Sequence, residues 1–410
     1  MKPARRVALL FQTLALRGGA ENVTIWLAHA LASRGYEIAV FSPSYDPALW
    51  PEQLTAPVPI HVFPDFSFNL LAKRSNVHRR RLYGRYLSRA LEGFDVIIPN
   101  NSPAIQWVDM AKRRNDRLGK IIWLCHEPTR QLFGAITDRH LFEYEKYGGG
   151  PGCNGHIAQA LNLQKKRMAR KVGKRARNAR WEIESASAAS RIVANSHFSA
   201  RNIKEVFGRD AEVIYPGILL TRGQRQDSHK PRKQNYIGYV GRLSVKKNVC
   251  NVVEAFRLLC ENGVDQGLSL KIVGDGPRRD ALREKVWNDG LQDRVVFLGQ
   301  LSDDELPEFY ARSRLTVYVP IDEPYGLVPL ESLYYHTPII VSDHGGPGEI
   351  FTHRENACLV NPFNPVEIAN AIAWCLENEE EAERLANRGH DLVASSLTFD
   401  AFVDKLEHLF

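Results

Sequence analysis

A chain of 410 residues exceeds what one ordinary hydrophobic core organises and implies at least two domains. With 44% apolar and 25% charged residues and no apolar run near the roughly 20 that a membrane helix needs, it reads as a soluble globular protein whose membrane contact is peripheral at most. The net charge is a modest +7, and the six cysteines (Cys125, Cys153, Cys250, Cys260, Cys358, Cys375) form no CxxC or metal-type spacing, so reduced thiols, a cytoplasmic setting and no metal site are expected.

The run from Val7 to Leu16 follows a basic tip and imitates a secretory signal, but Gln12 and Thr13 interrupt it and no small-x-small cleavage site follows. It fits better as a strand feeding the turn "RGGAEN". That turn puts Gly18 and Gly19 at a helix start, where backbone N–H groups can approach an anion. A tight turn with no ligand explains the pair equally well, since the motif is neither GxGxxG nor a P-loop. Across 21–34, Val23, Leu27, Ala30 and Leu31 share one helical face. Further strands are expected over "YEIAVFS", "FDVIIPN", "KIIWLCH", "RIVANS" and "AEVIYP". His126 follows one of these strands in "HEPTR", either as a structural histidine or as a contact for a substrate hydroxyl or carbonyl.

Residues 163–180 hold nine Lys or Arg and no acid. Met168, Val172, Ala176, Ala179 and then Ile183 recur at helical spacing, which predicts an amphipathic basic helix. Two readings stand: a solvated face, or a surface attracted to anionic lipid or a phosphorylated acceptor. No aromatic residues interleave with the basic ones, so nucleic acid is not an expected partner. The preceding stretch "DRHLFEYEKYGGGPGCNGH" reads as a flap or as an insertion.

Residues 217–235 are polar, basic and broken by proline, the composition of a linker. Alternation then resumes with "YIGYVG", "LSLKIVG", "RVVFLG", "RLTVYVP", "PIIVS" and "NACLV". Strand–helix alternation on both sides of a linker predicts an α/β protein of two Rossmann-like domains, 1–216 and 236–396. Their parallel sheets are expected to face a central cleft, with ligands beyond the strands' carboxyl ends. The tail 397–410 predicts an amphipathic helix with Phe399, Phe402, Leu406 and Leu409 on one face.

In "RLSVKKN", Arg242 and Lys247 straddle a loop into a helix and can converge on one diphosphate, although two solvated cations would look the same. Gly274 and Gly276 of "IVGDGP" allow close backbone approach to a ligand or simply make a turn. In "EPYGLVPLE", Glu323 lies just past a strand, and Pro329 suits the first turn of a helix placed at about 328–336. The turn of Tyr325, Gly326 and Leu327 offers N–H groups at that helix's start. Glu331 suits the helix dipole, whereas Glu323 is explained better by acceptance from paired hydroxyls of a sugar or ribose.

"GGAE", "HEP", "VGRLSVKKN", "IVGDGP", "VVFLGQLSDDEL", "EPYGLVPLESL" and "GGPGE", in this order and spacing, resemble the family 4 retaining glycosyltransferases of GT-B fold. The resemblance covers nearly the whole chain. It implies metal-independent, cofactor-free transfer of a hexose from a nucleotide-diphosphate sugar to a glycan, lipid-linked or small-molecule acceptor. It further implies that Gly18, Gly19, Arg242 and Lys247 bind the diphosphate, that His126 lies beside the sugar, and that Gly274 and backbone groups of Tyr325, Gly326 and Leu327 line the donor. Glu323 would hold sugar hydroxyls and Glu331 the ribose. The terminal helix 397–410 would return to the first domain, and 65–85 with 130–180 would carry acceptor choice. "HEPTR" and "RWEIESASAASRIVANSHFSARNI" resemble mannosyltransferases of bacterial polysaccharide and lipid-linked glycan synthesis, which favours mannose. Asn248 replaces the usual glycine after the lysine, and "YPGILL" lacks the usual acidic residue. A nucleotide-sugar epimerase, a glycoside hydrolase using Glu323 and Glu331, and a non-catalytic sugar-binding protein are the competing readings.

Overall fold

A computed structural model of the chain describes residues 5–65, 76–143, 155, 157–158, 172–219, 232–263 and 267–410. The chain divides into two compact units. The first comprises Met1–Thr137, Lys171–Leu219 and Phe399–Phe410; the second comprises Asp138–Arg170 and Leu220–Thr398.

The first unit is built on β1 (Arg6–Leu10), β2 (Glu37–Ser42), β3 (Ile60–Val62), β4 (Val96–Pro99), β5 (Lys120–Leu124), β6 (Arg191–Ala194) and β7 (Glu212–Val213). They form one sheet in the order β3-β2-β1-β4-β5-β6-β7, every neighbouring pair parallel. Parallel strands need crossovers, and the crossover helices bury both faces of the sheet. In β1, Ala8 and Leu10 enter one apolar cluster while Val7 and Leu9 enter another. The apolar run therefore shows no polar alternation because neither face meets water.

The second unit repeats the plan with β8 (Tyr236–Val240), β9 (Ser269–Val273), β10 (Val295–Gly299), β11 (Leu315–Tyr318), β12 (Ile339–Ser342) and β13 (Cys358–Val360). Their order is β10-β9-β8-β11-β12-β13, again parallel throughout. Every strand expected from the sequence is present, and β3 is the addition. It has three residues at the sheet edge, two of them exposed, so no apolar run announces it.

The helix Gly19–Ser33 buries Val23, Leu27, Ala30 and Leu31, as its periodicity predicts. The terminal helix Phe399–Glu407 packs on it within the first unit. Phe399 meets Trp26 edge-on at 5.5 Å between ring centroids, and Arg34 donates to Asp404 at 2.6 Å.

Two expectations need correction. Within the helix Val172–Ser185, Trp181 and Glu182 are buried while Ala176 is exposed and Ile183 is 42% exposed, so the face proposed from spacing is not the packed one. Trp181 turns inward into the apolar cluster of the first unit, and the Arg80 guanidinium stacks on its ring at 4.0 Å. The first part of the basic segment, 163–171, lies outside the described residues, as does most of the linker 217–235. Cys250 is disulfide-bonded, against the expectation of six reduced thiols, whereas Cys125, Cys260, Cys358 and Cys375 are free.

Candidate active site

In a doubly wound sheet the strand order reverses between two neighbours, and the loops leaving them diverge to opposite faces, opening a crevice at their carboxyl ends. In the second unit those neighbours are β8 and β11. The loop after β8 carries Arg242 and Lys247; the loop after β11 carries Glu323.

Lys247 Nζ donates to Glu323 Oε2 at 2.8 Å and to the Tyr318 hydroxyl at 2.9 Å. Both ion-pair partners are mostly sheltered, with 24% and 15% of side-chain surface exposed. Tyr239 donates its hydroxyl to the Lys247 carbonyl at 3.2 Å, and burial pushes that phenol well up, keeping it a donor. Arg242 is exposed, and its guanidinium makes no hydrogen bond to another described residue. The structure thus seats Lys247 in the polar cluster and leaves Arg242 at the surface.

Asn248 explains its own departure from glycine. Its backbone is left-handed, with φ 59° and ψ 27°, a conformation that asparagine tolerates better than most side chains. The residue is 1% exposed, and Nδ2 donates to the carbonyls of Val319 at 2.9 Å and Pro362 at 2.6 Å. The amide thereby ties the lysine loop to the glutamate loop.

Three glycines are required by close backbone packing. A Cβ on Gly274 would lie 2.1 Å from the Gly241 carbonyl, and one on Gly276 would lie 2.5 Å from that of Leu243. The "IVGDGP" turn therefore packs directly under the loop that carries Arg242 and Lys247. Gly346 accepts no side chain because Pro324 O would be 2.1 Å away, and its N–H donates to Glu323 O at 2.7 Å. A Cβ on the neighbouring Gly345 would lie 2.5 Å from Glu323 O, so the two glycines brace the Glu323 backbone.

The helix after Glu323 spans Val328–Tyr334, with Pro329 in its first turn as predicted. Tyr325 is buried, Gly326 takes φ 88°, and Leu327 precedes the helix. Glu331 Oε2 accepts from the Tyr310 hydroxyl at 2.7 Å; burial and this carboxylate both push the Tyr310 phenol up. Tyr318 and Tyr310 are thus the partners that sequence reasoning missed. Both were absorbed into apolar segments, although Tyr318 ends a strand, where a polar tip is well placed for a site.

The first unit reverses between β1 and β4. Gly18 precedes the helix Gly19–Ser33 in extended backbone, and a Cβ there would lie 2.7 Å from Glu21 Oε2. Glu21 folds back over that turn, and burial pushes its carboxyl up against the lowering effect of its own N–H. His126 follows β5, and its backbone N–H donates to Asn101 Oδ1, two residues past the end of β4, at 2.9 Å. The residue is only half-buried, but Nε2 is sealed from solvent without a hydrogen-bond partner among described residues. Burial pushes this imidazole down to about 4, leaving a neutral ring.

Two all-parallel doubly wound units with polar side chains at the carboxyl ends of their strands are the architecture of the GT-B fold. The chain is similar in structure to Anabaena HepE solved with UDP-glucose, with a TM-score of 0.73 at 20% identity over 98% of both chains. It is equally similar to sucrose-phosphate synthase of Thermosynechococcus elongatus, with a TM-score of 0.73 at 19% identity over 99% of this chain and 98% of that one. The Glycosyltransferase Family 4 profile matches residues 17–222 and the Glycosyl transferases group 1 profile matches 221–391. The chain belongs to glycosyltransferase family 4. It is 31% identical to an uncharacterized glycosyltransferase of Methanocaldococcus jannaschii over 41% of this chain and 42% of the relative. It is 30% identical to the alpha-D-kanosaminyltransferase of Streptomyces kanamyceticus over 42% and 44%, so each match spans less than half of the relative. With the alpha-1,3/1,6-mannosyltransferase of Homo sapiens it shares 24% identity over 95% of this chain and 92% of that one.

Proposed function

We propose that the chain is a retaining hexosyltransferase that moves a sugar from a nucleotide-diphosphate donor to a glycan, lipid-linked or small-molecule acceptor. The observation that carries the reading is Lys247, fixed beside Glu323 and Tyr318 at the switch point of the second sheet. As the anomeric C–O bond breaks, positive charge grows on the sugar ring and negative charge on the departing diphosphate. An ammonium already held in a sheltered site needs little reorganisation to meet that charge, and such preorganised groups supply about 2.7–4 kcal/mol each in comparable anion sites. Arg242 adds a second cation from the surface end of the same loop.

Glu323 accepts from sugar hydroxyls, and Glu331, aligned by Tyr310, accepts from the ribose. Gly18 and Gly19 offer N–H groups to the diphosphate, and neutral His126 hydrogen-bonds the transferred sugar. The sheet of the second unit is the donor side; acceptor choice belongs to 65–85 and 130–180. The chemistry asks for no resident metal or cofactor, because Lys247, Arg242 and the glycine-turn amides meet the charge on the diphosphate; the leaving phosphate itself helps take the acceptor proton on the face it departs from. Mannose is the favoured sugar. The human mannosyltransferase and the mannosylfructose-phosphate synthase of Agrobacterium fabrum, among the relatives, support that choice. Peripheral contact with anionic membrane is proposed for 163–180, whose described part exposes Arg177 and Arg180.

The test is turnover of UDP-, GDP- and ADP-sugars against polyprenyl-linked and free glycans, with product anomers assigned by NMR and chelator present in parallel. Retained configuration with chelator-insensitive turnover is expected. An inverted product, an absolute metal requirement, or hydrolysis of a nitrophenyl sugar without nucleotide would overturn the reading.

A further inference from the structure

Next to each of the two central residues of the second unit stands a charged residue that the reading above does not use. Asp322 precedes Glu323, and Lys246 precedes Lys247. Asp322 has no exposed side-chain surface and holds a left-handed backbone, φ 51°, where residues with a Cβ are uncommon. Such a conformation persists only where the surroundings over-determine it. Here the surroundings come from the short helix Arg139–Phe142, which belongs to the same unit. His140 Nδ1 lies 2.6 Å from Asp322 Oδ1, and the Leu141 N–H donates to Oδ2 at 2.9 Å. Asp138, one residue ahead of that helix, pairs its buried carboxylate with the Lys246 ammonium.

The tie continues through the backbone. Ile321 N–H donates to Lys246 O at 2.8 Å, and Lys246 Nζ reaches Asp322 O at 3.5 Å. Leu141 and Ile157 close over Ile321 and Phe363 in a separate apolar cluster, with Val245 at its border. The His344 ring, from the loop after β12, meets the His140 ring edge-on at 4.4 Å. One helical turn therefore clips both loops, each at the residue adjoining the group that would meet the donor.

We propose that Asp322, held by His140, is a positioning residue for the donor: it fixes the Glu323 loop, while Asp138 fixes the Lys247 loop through Lys246. The proposal rests on the donor reading of Lys247 and Glu323. Misplacement of a reacting group by about 1 Å costs on the order of a hundredfold in rate, so a clip at this position acts on turnover before it acts on binding.

The experiment compares His140→Leu, His140→Asn and Asp322→Asn, alone and with Glu323→Gln, in the full chain. For His140→Leu and Asp322→Asn, kcat is expected to fall ten- to a hundredfold. Affinity for the nucleoside diphosphate of the active donor, measured alone by calorimetry, should change less than threefold. His140→Asn, whose amide N–H can replace Nδ1–H, should recover most of the loss. In the Glu323→Gln background Asp322→Asn should cost less than threefold more, because both changes disable the same contact. Losses that multiply, His140→Leu at wild-type kcat, or a kcat deficit matching the unfolded fraction at the assay temperature would overturn the positioning role. Should Asp322→Asn fail to fold, the two His140 variants decide. A wild-type enzyme that turns over no nucleotide sugar overturns the donor reading, and this proposal with it; wild-type turnover with indifferent variants overturns only the clip.

Discussion

Replacing Asn248 by glycine restores the residue common in the family and should nevertheless weaken this protein. The side chain is 1% exposed, and Nδ2 bridges the Val319 and Pro362 carbonyls. Asn251 Nδ2 also donates to the Pro362 carbonyl, at 2.9 Å, so that acceptor keeps a partner when Asn248 is cut back. Val319 O loses this donor, and stripping a partner from a buried acceptor costs about 1–3 kcal/mol. Glycine returns part of that, since the left-handed strain of a residue with a Cβ, at most about 1–2 kcal/mol, disappears. The net loss for Asn248→Gly is about 1 kcal/mol. Asn248→Ala forfeits the same bonds and takes the full strain of a left-handed alanine, giving about 3 kcal/mol. For a unit of this size about 1 kcal/mol moves the melting temperature by about 2–4 °C, so differential scanning calorimetry separates the two variants. An alanine variant as stable as the glycine one would refute the strain argument. A glycine variant more stable than the natural protein would refute the bridge.

Glu323→Gln and Lys247→Ala should each lower turnover about a hundredfold with the fold retained, read as kcat beside the far-UV spectrum; near-normal turnover in either would remove that residue from the site. Above the ordinary histidine pKa of 6.5, His126 is neutral in both folded and unfolded chains and contributes nothing to pH dependence. Below it the unfolded chain binds a proton that the sealed imidazole refuses until about pH 4. Stability therefore falls across that window by about 3 kcal/mol, and His126→Asn should flatten the acid limb of the urea midpoint against pH. Phe402 is 2% exposed beneath the terminal helix, so Phe402→Ala should cost about 3–5 kcal/mol in denaturant unfolding of the first unit. An unchanged midpoint would mean that the helix does not brace that unit.

The fold was legible because most of its strands are covered on both faces. A run such as "RVALLF" needs no partner information to be read, since each side chain is apolar whichever way it points. β3 escaped because an edge strand with two exposed residues has no such run. Helical spacing succeeded for 21–34, where one side faces a sheet. It failed for 172–185, where alanines at the expected positions have too little surface to win the core against one tryptophan.

The candidate site was read in the sequence chiefly from charged residues close to strand ends. Glu323 and Lys247 were visible because a carboxylate and an ammonium beside apolar strands need an explanation. Tyr318, which holds Lys247, was hidden for the opposite reason, since a tyrosine in a strand looks ordinary, and Asn248 stood out only as a departure from the usual glycine. Their roles come from where β8 and β11 lie, side by side, although 71 residues separate Lys247 from Tyr318 in sequence. That adjacency also decides the chemistry. A lysine alone at a strand end would be a solvated cation, and a glutamate alone would be a solvated anion. Brought to 2.8 Å in a sheltered crevice, the two side chains hold one another in a fixed geometry before any ligand arrives. On the proposed reading, a donor would find its anion-binding and hydroxyl-binding groups already in place, and binding would need only to redirect their hydrogen bonds.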